Sequence, residues 1–234
     1  MNEINLDSPS SFSLANDSAK WPGIDQIRSA CLGWILFNIE TICSAGGHLL
    51  TPREAVRAMR MGSRRRRDFI AARVALKRLA RQLDIVKENR PDREIETLGP
   101  DDVRPCLAES GIYCSVSHSA RLVAAVAHRH PVGVDIEMVS EKATRTKHLF
   151  MTPRERALVF QSGLSRERAA TRAWTIKEAA AKALGLPLFQ AIQEVKVIRV
   201  GEKEGVVRYQ KRIYPVIHAE GDGYVMSLIC CDDD

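Results

Sequence analysis

Asp135 and Glu137 stand two apart inside the apolar run Pro131-Val132-Gly133-Val134-Asp135-Ile136-Glu137-Met138-Val139. In a strand, residues two apart point to one side, so both carboxylates would face one place. Close carboxylates repel and raise each other's pKa unless a cation or donor lies between them. A hard divalent ion such as Mg²⁺, held by a few carboxylates and by substrate phosphates, resolves that repulsion. The alternative is a strand end whose acids face solvent.

Three further groups have types and spacings suited to phosphate chemistry. Glu178 and Lys182 share one helix face with Trp174, within Ala173-Trp174-Thr175-Ile176-Lys177-Glu178-Ala179-Ala180-Ala181-Lys182. A Glu–Lys pair four apart is commonly surface decoration worth ~0.2–0.5 kcal/mol. Here it lies among alanines, as a packed face with charges turned into a cleft would. Arg65 and Arg73, eight apart in a segment that opens with four arginines (64–67), project from one side of a helix. Arginine suits bidentate phosphate binding, although such a run also reads as a solvated face or a nucleic-acid patch. Ser117-His118, at the end of Tyr113-Cys114-Ser115-Val116-Ser117-His118-Ser119, offers a hydroxyl and an imidazole. With no Gly-x-Ser-x-Gly elbow, the two are not a hydrolase dyad.

The elements that must position these groups come as a repeat. His48-Leu49-Leu50-Thr51-Pro52-Arg53-Glu54 is echoed by His148-Leu149-Phe150-Met151-Thr152-Pro153-Arg154-Glu155. Each copy has an N-cap Thr, Pro at the first helical position and Glu at the third, which is a capping box. Upstream, Gly33 opens Trp34-Ile35-Leu36-Phe37 and Gly133 opens Val134-Asp135-Ile136-Glu137. Downstream, long amphipathic helices are expected at about 63–83 and 165–184. The stripe Phe69, Arg73, Lys77 is taken as the counterpart of Trp174, Glu178, Lys182, so that base replaces acid. The fold expected is α/β (α+β), two related halves about a pseudo-twofold axis, each a small, mostly antiparallel sheet with a long helix. Further strands are expected at 112–117, 122–128, 194–200, 212–218 and 224–230, with a long loop over 87–105. The domain reading is a mobile lead-in (1–20), an N-terminal half (21–125), a C-terminal half (126–234) and a solvated Asp232–Asp234 tail.

Composition narrows the classes. The 234 residues are 45% hydrophobic and 27% charged, ordinary for a soluble globular protein. No apolar run approaches the ~20 residues that span a bilayer, and the acidic N-terminus lacks a secretory layout. A cytoplasmic protein with no membrane contact is expected. The six cysteines form no Cys-x-x-Cys pair, so structural zinc is not expected. The net charge of +6 favours polyanionic or acidic partners. Nucleic acid would leave the acids at 135 and 137 without a reason, and is not expected.

Val116-Ser117-His118-Ser119, Gly133-Val134-Asp135-Ile136-Glu137 and Trp174-Thr175-Ile176-Lys177-Glu178-Ala179-Ala180-Ala181-Lys182 together resemble the ordered motifs of the Sfp-type 4′-phosphopantetheinyl transferases. Arg65-Arg66-Arg67-Asp68-Phe69-x-x-x-Arg73 is similar to that family's Arg-x-x-Glu-Phe-x-x-x-Arg, with Asp68 where Glu is usual. The Trp-x-x-Lys-Glu-Ala form resembles the subgroup rich in siderophore and secondary-metabolite enzymes. The resemblance implies Mg²⁺, or Mn²⁺, on Asp135, Glu137 and Glu178. It implies Lys182 on the coenzyme A pyrophosphate and Glu178 as proton acceptor, directly or through water. Arg65, Arg73, Ser117 and His118 would hold the nucleotide end, and Arg104 would meet coenzyme A although Val103-Arg104-Pro105 lacks the family's loop glycine. The implied partner is an acyl or peptidyl carrier protein, and a monomer suffices because one chain supplies both sides of the cleft.

Overall fold

The computed structural model describes residues 21–40, 46–101, 104–108 and 110–231. The expected lead-in at 1–20, Cys43, Val103 and the Asp232–Asp234 tail lie outside them. In chain order the elements are α1 (Ile24–Ala30), β1 (Gly33–Asn38), α2 (Pro52–Met59), α3 (Ser63–Gln82), β2 (Tyr113–Ser119), β3 (Leu122–His128) and β4 (Val132–Met138). There follow α4 (Glu141–Phe150), α5 (Pro153–Gln161), α6 (Arg166–Ala183), α7 (Leu188–Glu194), β5 (Lys196–Val200), β6 (Glu204–Tyr209), β7 (Arg212–Gly221) and β8 (Tyr224–Cys230).

The strands make two antiparallel sheets, ordered β1-β3-β2 and β4-β8-β7-β6-β5, with a bulge between Val197 and Arg199 in β5. The long helix α3 covers the small sheet through Phe37, Val74, Leu76, Leu79 and Val123. Its counterpart α6 covers the large sheet through Ala173, Ile176, Ala180 and Val207. The remaining faces meet around Trp21, Leu36, Val126, Val134 and Met226, with α1 packed against both sheets. Sheet membership changes in residues 129–131, between β3, which ends at His128 as expected, and β4, which opens at Val132. No helix among the described residues is long and apolar enough to cross a membrane.

Both expected capping boxes form: Thr51 with Glu54, and Thr152 with Glu155. Each glutamate continues inward to a buried lysine of the long helix. Glu54 meets Lys77 at 2.7 Å, and Glu155 meets Lys177 at 2.7 Å, all four side chains at most 2% exposed. Each lysine also donates to backbone carbonyls, Leu49 and Asp92 in one case, Ile192 and Val195 in the other. Each glutamate further accepts a backbone amide, from Thr97 or from Val197. Burial pushes the Glu155 carboxyl up, but Lys177 and the amides of Thr152 and Val197 outweigh it and hold it below its usual range.

This recurrence supports the pseudo-twofold reading and corrects its register. Gly33 and Gly133, and Lys77 and Lys177, correspond at an offset of 100, and the capping boxes correspond at 101. Lys77 therefore answers to Lys177, not Lys182. The counterparts of Asp135, Glu137, Glu178 and Lys182 are Ile35, Phe37, Arg78 and Gln82.

Removing one partner of a buried pair strands the other's charge, at about 3–5 kcal/mol. Lys177→Met is expected to lower unfolding stability by that amount in urea titration, and Glu155→Gln/Lys177→Met to recover most of it. Equal loss in the double variant would show that the lysine's bonds to carbonyls, not the ion pair, dominate.

Candidate functional site

Asp135 and Glu137 lie on the face of β4 that looks towards α6, while Val134 and Ile136 face the core between the sheets. The helix comes unusually close here. A Cβ on Gly133 would overlap the carbonyl oxygen of Ala179 and stand 2.6 Å from the amide nitrogen of Ala183. On the equivalent Gly33 it would meet only leucine side chains, Leu79 and Leu83, at 2.9–3.1 Å. The alanines of α6 and the bare Cα of Gly133 thus let backbone approach backbone, which brings Glu178 and Lys182 onto the carboxylates.

Lys182 Nζ donates to Asp135 Oδ1 at 2.8 Å and to Val134 O at 2.9 Å, and lies 4.0 Å from Glu178 Oε2. Asp135 is 1% exposed, and its Oδ2 has no partner. Burial, then Asp135, and also Glu137 raise Glu178 to about 7, with Lys182 opposing. Burial and Asp135 raise Glu137 too, against hydrogen bonds from Ser119 and Trp174. Three carboxylates thus share one desolvated corner.

From the other side β2 runs beside β4, joined to it through serine hydroxyls. Val134 N–H donates to Ser115 Oγ (3.0 Å), Ser117 Oγ donates to Asp135 Oδ1 (2.6 Å), and Ser119 Oγ donates to Glu137 Oε2 (2.7 Å). Met138 N–H donates back to Ser119 Oγ at 3.1 Å. Ser115 and Ser119 were missed in the sequence reading, though the alternation Ser115-x-Ser117-x-Ser119 carries the signal. Trp174, expected on the Glu178 stripe, packs edge-on against Phe150 with ring centroids 5.0 Å apart.

The other expected residues are placed as follows. His118 turns to α3, its Nδ1 3.9 Å from Asp68 Oδ2, and burial lowers its pKa. Arg104 stands over the C-terminal end of α6, where a Cβ on Gly185 would be 3.6 Å from its Nη2. Arg65 is exposed on α3. Arg73 is 5% exposed and donates through Nη1 to Thr97 O at 2.7 Å, so it does not share an open face with Arg65. The arginine run is no uniform patch either: Arg66 caps the end of α2 through Ala58, Met59 and Met61 carbonyls, and Arg67 pairs with Asp68.

Among the described residues no three His, Cys, Asp or Glu side chains stand as a ready-made metal cage. At Asp135 the cation's place is taken by the Lys182 ammonium. The corner nevertheless fits a hard divalent ion. All donors are oxygens, they repel one another, and Asp135 Oδ2 is buried without a partner.

Behind Asp135 the cross-strand row continues through Ser227 to His218. Thr175 Oγ1 donates to Arg172 O, so it accepts a hydrogen bond from Ser227 Oγ at 2.6 Å. Ser227 Oγ therefore accepts from His218 Nδ1 at 3.0 Å, and Nε2 is left bare and unpartnered. Burial, and next Arg172, push His218 down to about 3. Between pH ~6.5 and ~3 the unfolded chain binds a proton here that the folded chain refuses, so this group's contribution falls with pH by about 1.4 kcal/mol per unit. Glu178 acts in the opposite sense between ~4.5 and 7. The His218 term is accordingly read as a difference: the stability gap between wild type and His218→Asn is expected to shrink as pH drops from 6.5 to 4.5. A gap independent of pH would mean that the buried ring is charged.

Residues 131–229 match the model of the 4′-phosphopantetheinyl transferase superfamily. Enterobactin synthase component D of Escherichia coli O157:H7 is 27% identical over 124 residues, 52% of this chain and 60% of that protein. The corresponding protein of Escherichia coli strain K12 is 25% identical over the same length. The 4′-phosphopantetheinyl transferase gsp of Aneurinibacillus migulanus is 26% identical over 176 residues, 70% of this chain and 68% of that protein. The chain thus spans about three-fifths of the length of the component D relatives it matches.

Proposed function

We propose, from the match of residues 131–229 to the 4′-phosphopantetheinyl transferase superfamily model, that this chain moves the phosphopantetheine arm of coenzyme A onto a serine of an acyl or peptidyl carrier protein. The observation that carries the reading is the corner where Asp135, Glu137 and Glu178 crowd together beside Lys182.

In this reading Asp135, Glu137 and Glu178 hold Mg²⁺, or Mn²⁺. The ion supplies charge neutralisation at the pyrophosphate oxygens. Lys182 exchanges its bonds to Asp135 and Val134 for the pyrophosphate and meets the negative charge that grows there. Glu178 accepts the carrier serine's proton, directly or through water. The serine oxygen bonds to the β-phosphorus as the bond to the bridging oxygen breaks, and 3′,5′-ADP leaves with that electron pair. Ser117 and Ser119 keep Asp135 and Glu137 aimed while this happens. The exposed Arg65 and Arg104, with His118, take the nucleotide end and its 3′-phosphate. Ser117 and Arg73, already bonded to Asp135 and Thr97, contribute by holding the site instead.

The net charge of +6 suits an acidic carrier, and a cytoplasmic monomer of the Sfp type is the working form proposed. Intact-mass spectrometry of apo carrier proteins with coenzyme A and Mg²⁺ is expected to show a gain of ~340 Da, the mass of one phosphopantetheine, abolished by EDTA. No gain on any acyl or peptidyl carrier would reject the transfer. Asp135→Asn is expected to cut turnover by at least the ~10–100-fold typical of disturbed metal sites. Arg65→Ala is expected to raise KM for coenzyme A but not for dephospho-coenzyme A; equal losses on both would remove Arg65 from the 3′-phosphate.

A further inference from the structure

Arg104 stands over Gly185, just past the end of α6, and α2 holds residues 96–100 nearby by a dense set of bonds. Arg53 donates through Nη1 to Leu98 O (3.3 Å) and through Nη2 to Gly99 O (2.7 Å) and Pro100 O (3.4 Å). Glu96 turns back on its own backbone, its Oε1 accepting the amides of Thr97 and Leu98 at 3.0 and 2.9 Å. Its Oε2 accepts the hydroxyl of Thr51, the N-cap of α2, at 3.0 Å. Glu54 takes the Thr97 hydroxyl at 2.5 Å. The loop then closes on itself, Gly99 N–H to Arg104 O (2.8 Å) and Cys106 N–H to Thr97 O (3.0 Å).

We propose that Arg53 is a positioning residue: by gripping the carbonyls of Leu98, Gly99 and Pro100 it holds Gly99, whose bond to Arg104 O keeps Arg104 over Gly185 at the end of α6, and thereby sets the affinity for the nucleotide end of coenzyme A. The ligand half of this statement rests on the transferase reading; the clamp itself does not. Arg53 has the right chemistry for the task. Its planar guanidinium presents its donors in a fixed fork, which suits carbonyls that follow one another along an exposed loop. The bonds converge from one helix turn, where Pro52 and the capping box leave Arg53 on the outer face. The second copy has Arg154 at the corresponding place after Thr152-Pro153, and there the capping glutamate bonds the start of β5 instead of a cleft loop. A cation at a helix C-terminus is favoured by the exposed carbonyls, so Arg104 has a reason to stay where the loop puts it. Its guanidinium is otherwise 71% exposed, with Asp101 3.7 Å away.

The test joins two readouts on the full chain. Amide hydrogen exchange without ligand reads the clamp: Arg53→Ala is expected to speed exchange at Gly99 and Cys106 at least tenfold, Arg53→Lys to restore little of it, and Arg104→Ala to leave it near wild type. Calorimetry with coenzyme A reads the consequence: Arg53→Ala and Arg104→Ala are each expected to weaken binding several-fold, and the double variant no more than Arg104→Ala alone. In turnover, Arg53→Ala is expected to raise KM for coenzyme A and leave kcat unchanged. Unchanged exchange in Arg53→Ala overturns the clamp, and additive losses in the double variant overturn its action through Arg104. A wild-type chain that binds no coenzyme A overturns the ligand assignment and the transferase reading, while exchange still decides the clamp.

Discussion

The contact between the backbone of α6 and Gly133 is the constraint on which the rest of this structure depends. A helix normally rides on a sheet with a layer of side chains between them. Here that layer is missing at one point, because Gly133 has no Cβ and the facing helix residues are alanines. Glu178 and Lys182 consequently sit level with Asp135 instead of above it. The cost of bringing three carboxylates and an ammonium into one dry corner is met partly by Lys182 and partly by serine hydroxyls from the neighbouring sheet. The buried Glu155–Lys177 pair fixes the same helix from the opposite side, one residue before Glu178. Two adjacent residues of α6 thus carry opposite duties, one locked in the core and one in the cleft.

The segment from β1 to α3 carries a matching set of contacts without that corner. Its helix is held by the matching Glu54–Lys77 pair and its strand opens with the matching glycine. Where the second half presents Asp135, Glu137, Glu178 and Lys182, the first presents Ile35, Phe37, Arg78 and Gln82. Ile35 and Phe37 simply join the core under α3. One framework is thus used for packing in one half and for charge in the other.

Much of this was legible in the residues themselves. Thr-Pro-x-Glu is a local code whose hydrogen bonds close within four residues, so both capping boxes and both long helices formed where expected. Strands β2, β3, β5, β7 and β8 were visible from β-branched and apolar content. Glu204–Tyr209 was not, since its glycine and charged residues hide an interior strand whose partners lie on either side. The helices Glu141–Phe150 and Leu188–Glu194 were missed because each is short and its stability comes from packing on α6, not from an internal signal. The stripe register failed for a related reason. Spacing along one helix identifies a face, but only the lysine's glutamate, more than twenty residues upstream, says which turn corresponds to which. Arg73 looked like a phosphate ligand because its periodicity matches Arg65, and periodicity carries no information about the Thr97 carbonyl that occupies it.

The serine seam between β2 and β4 has a consequence for solubility. Each of these strands is the last of its sheet, and a terminal strand normally exposes a row of amides and carbonyls that invites pairing with another chain. Here the two rims blunt each other: hydroxyls from β2 take the amides of Val134 and Met138 that a further strand would otherwise claim. At the far rim of the larger sheet the bulge in β5, with Lys196 and Arg199 beside it, breaks the regular register that an incoming strand would need. The groups that aim the carboxylates therefore also act as a guard against aggregation, and a change that pried the sheets apart would expose a sticky edge before it unfolded either half.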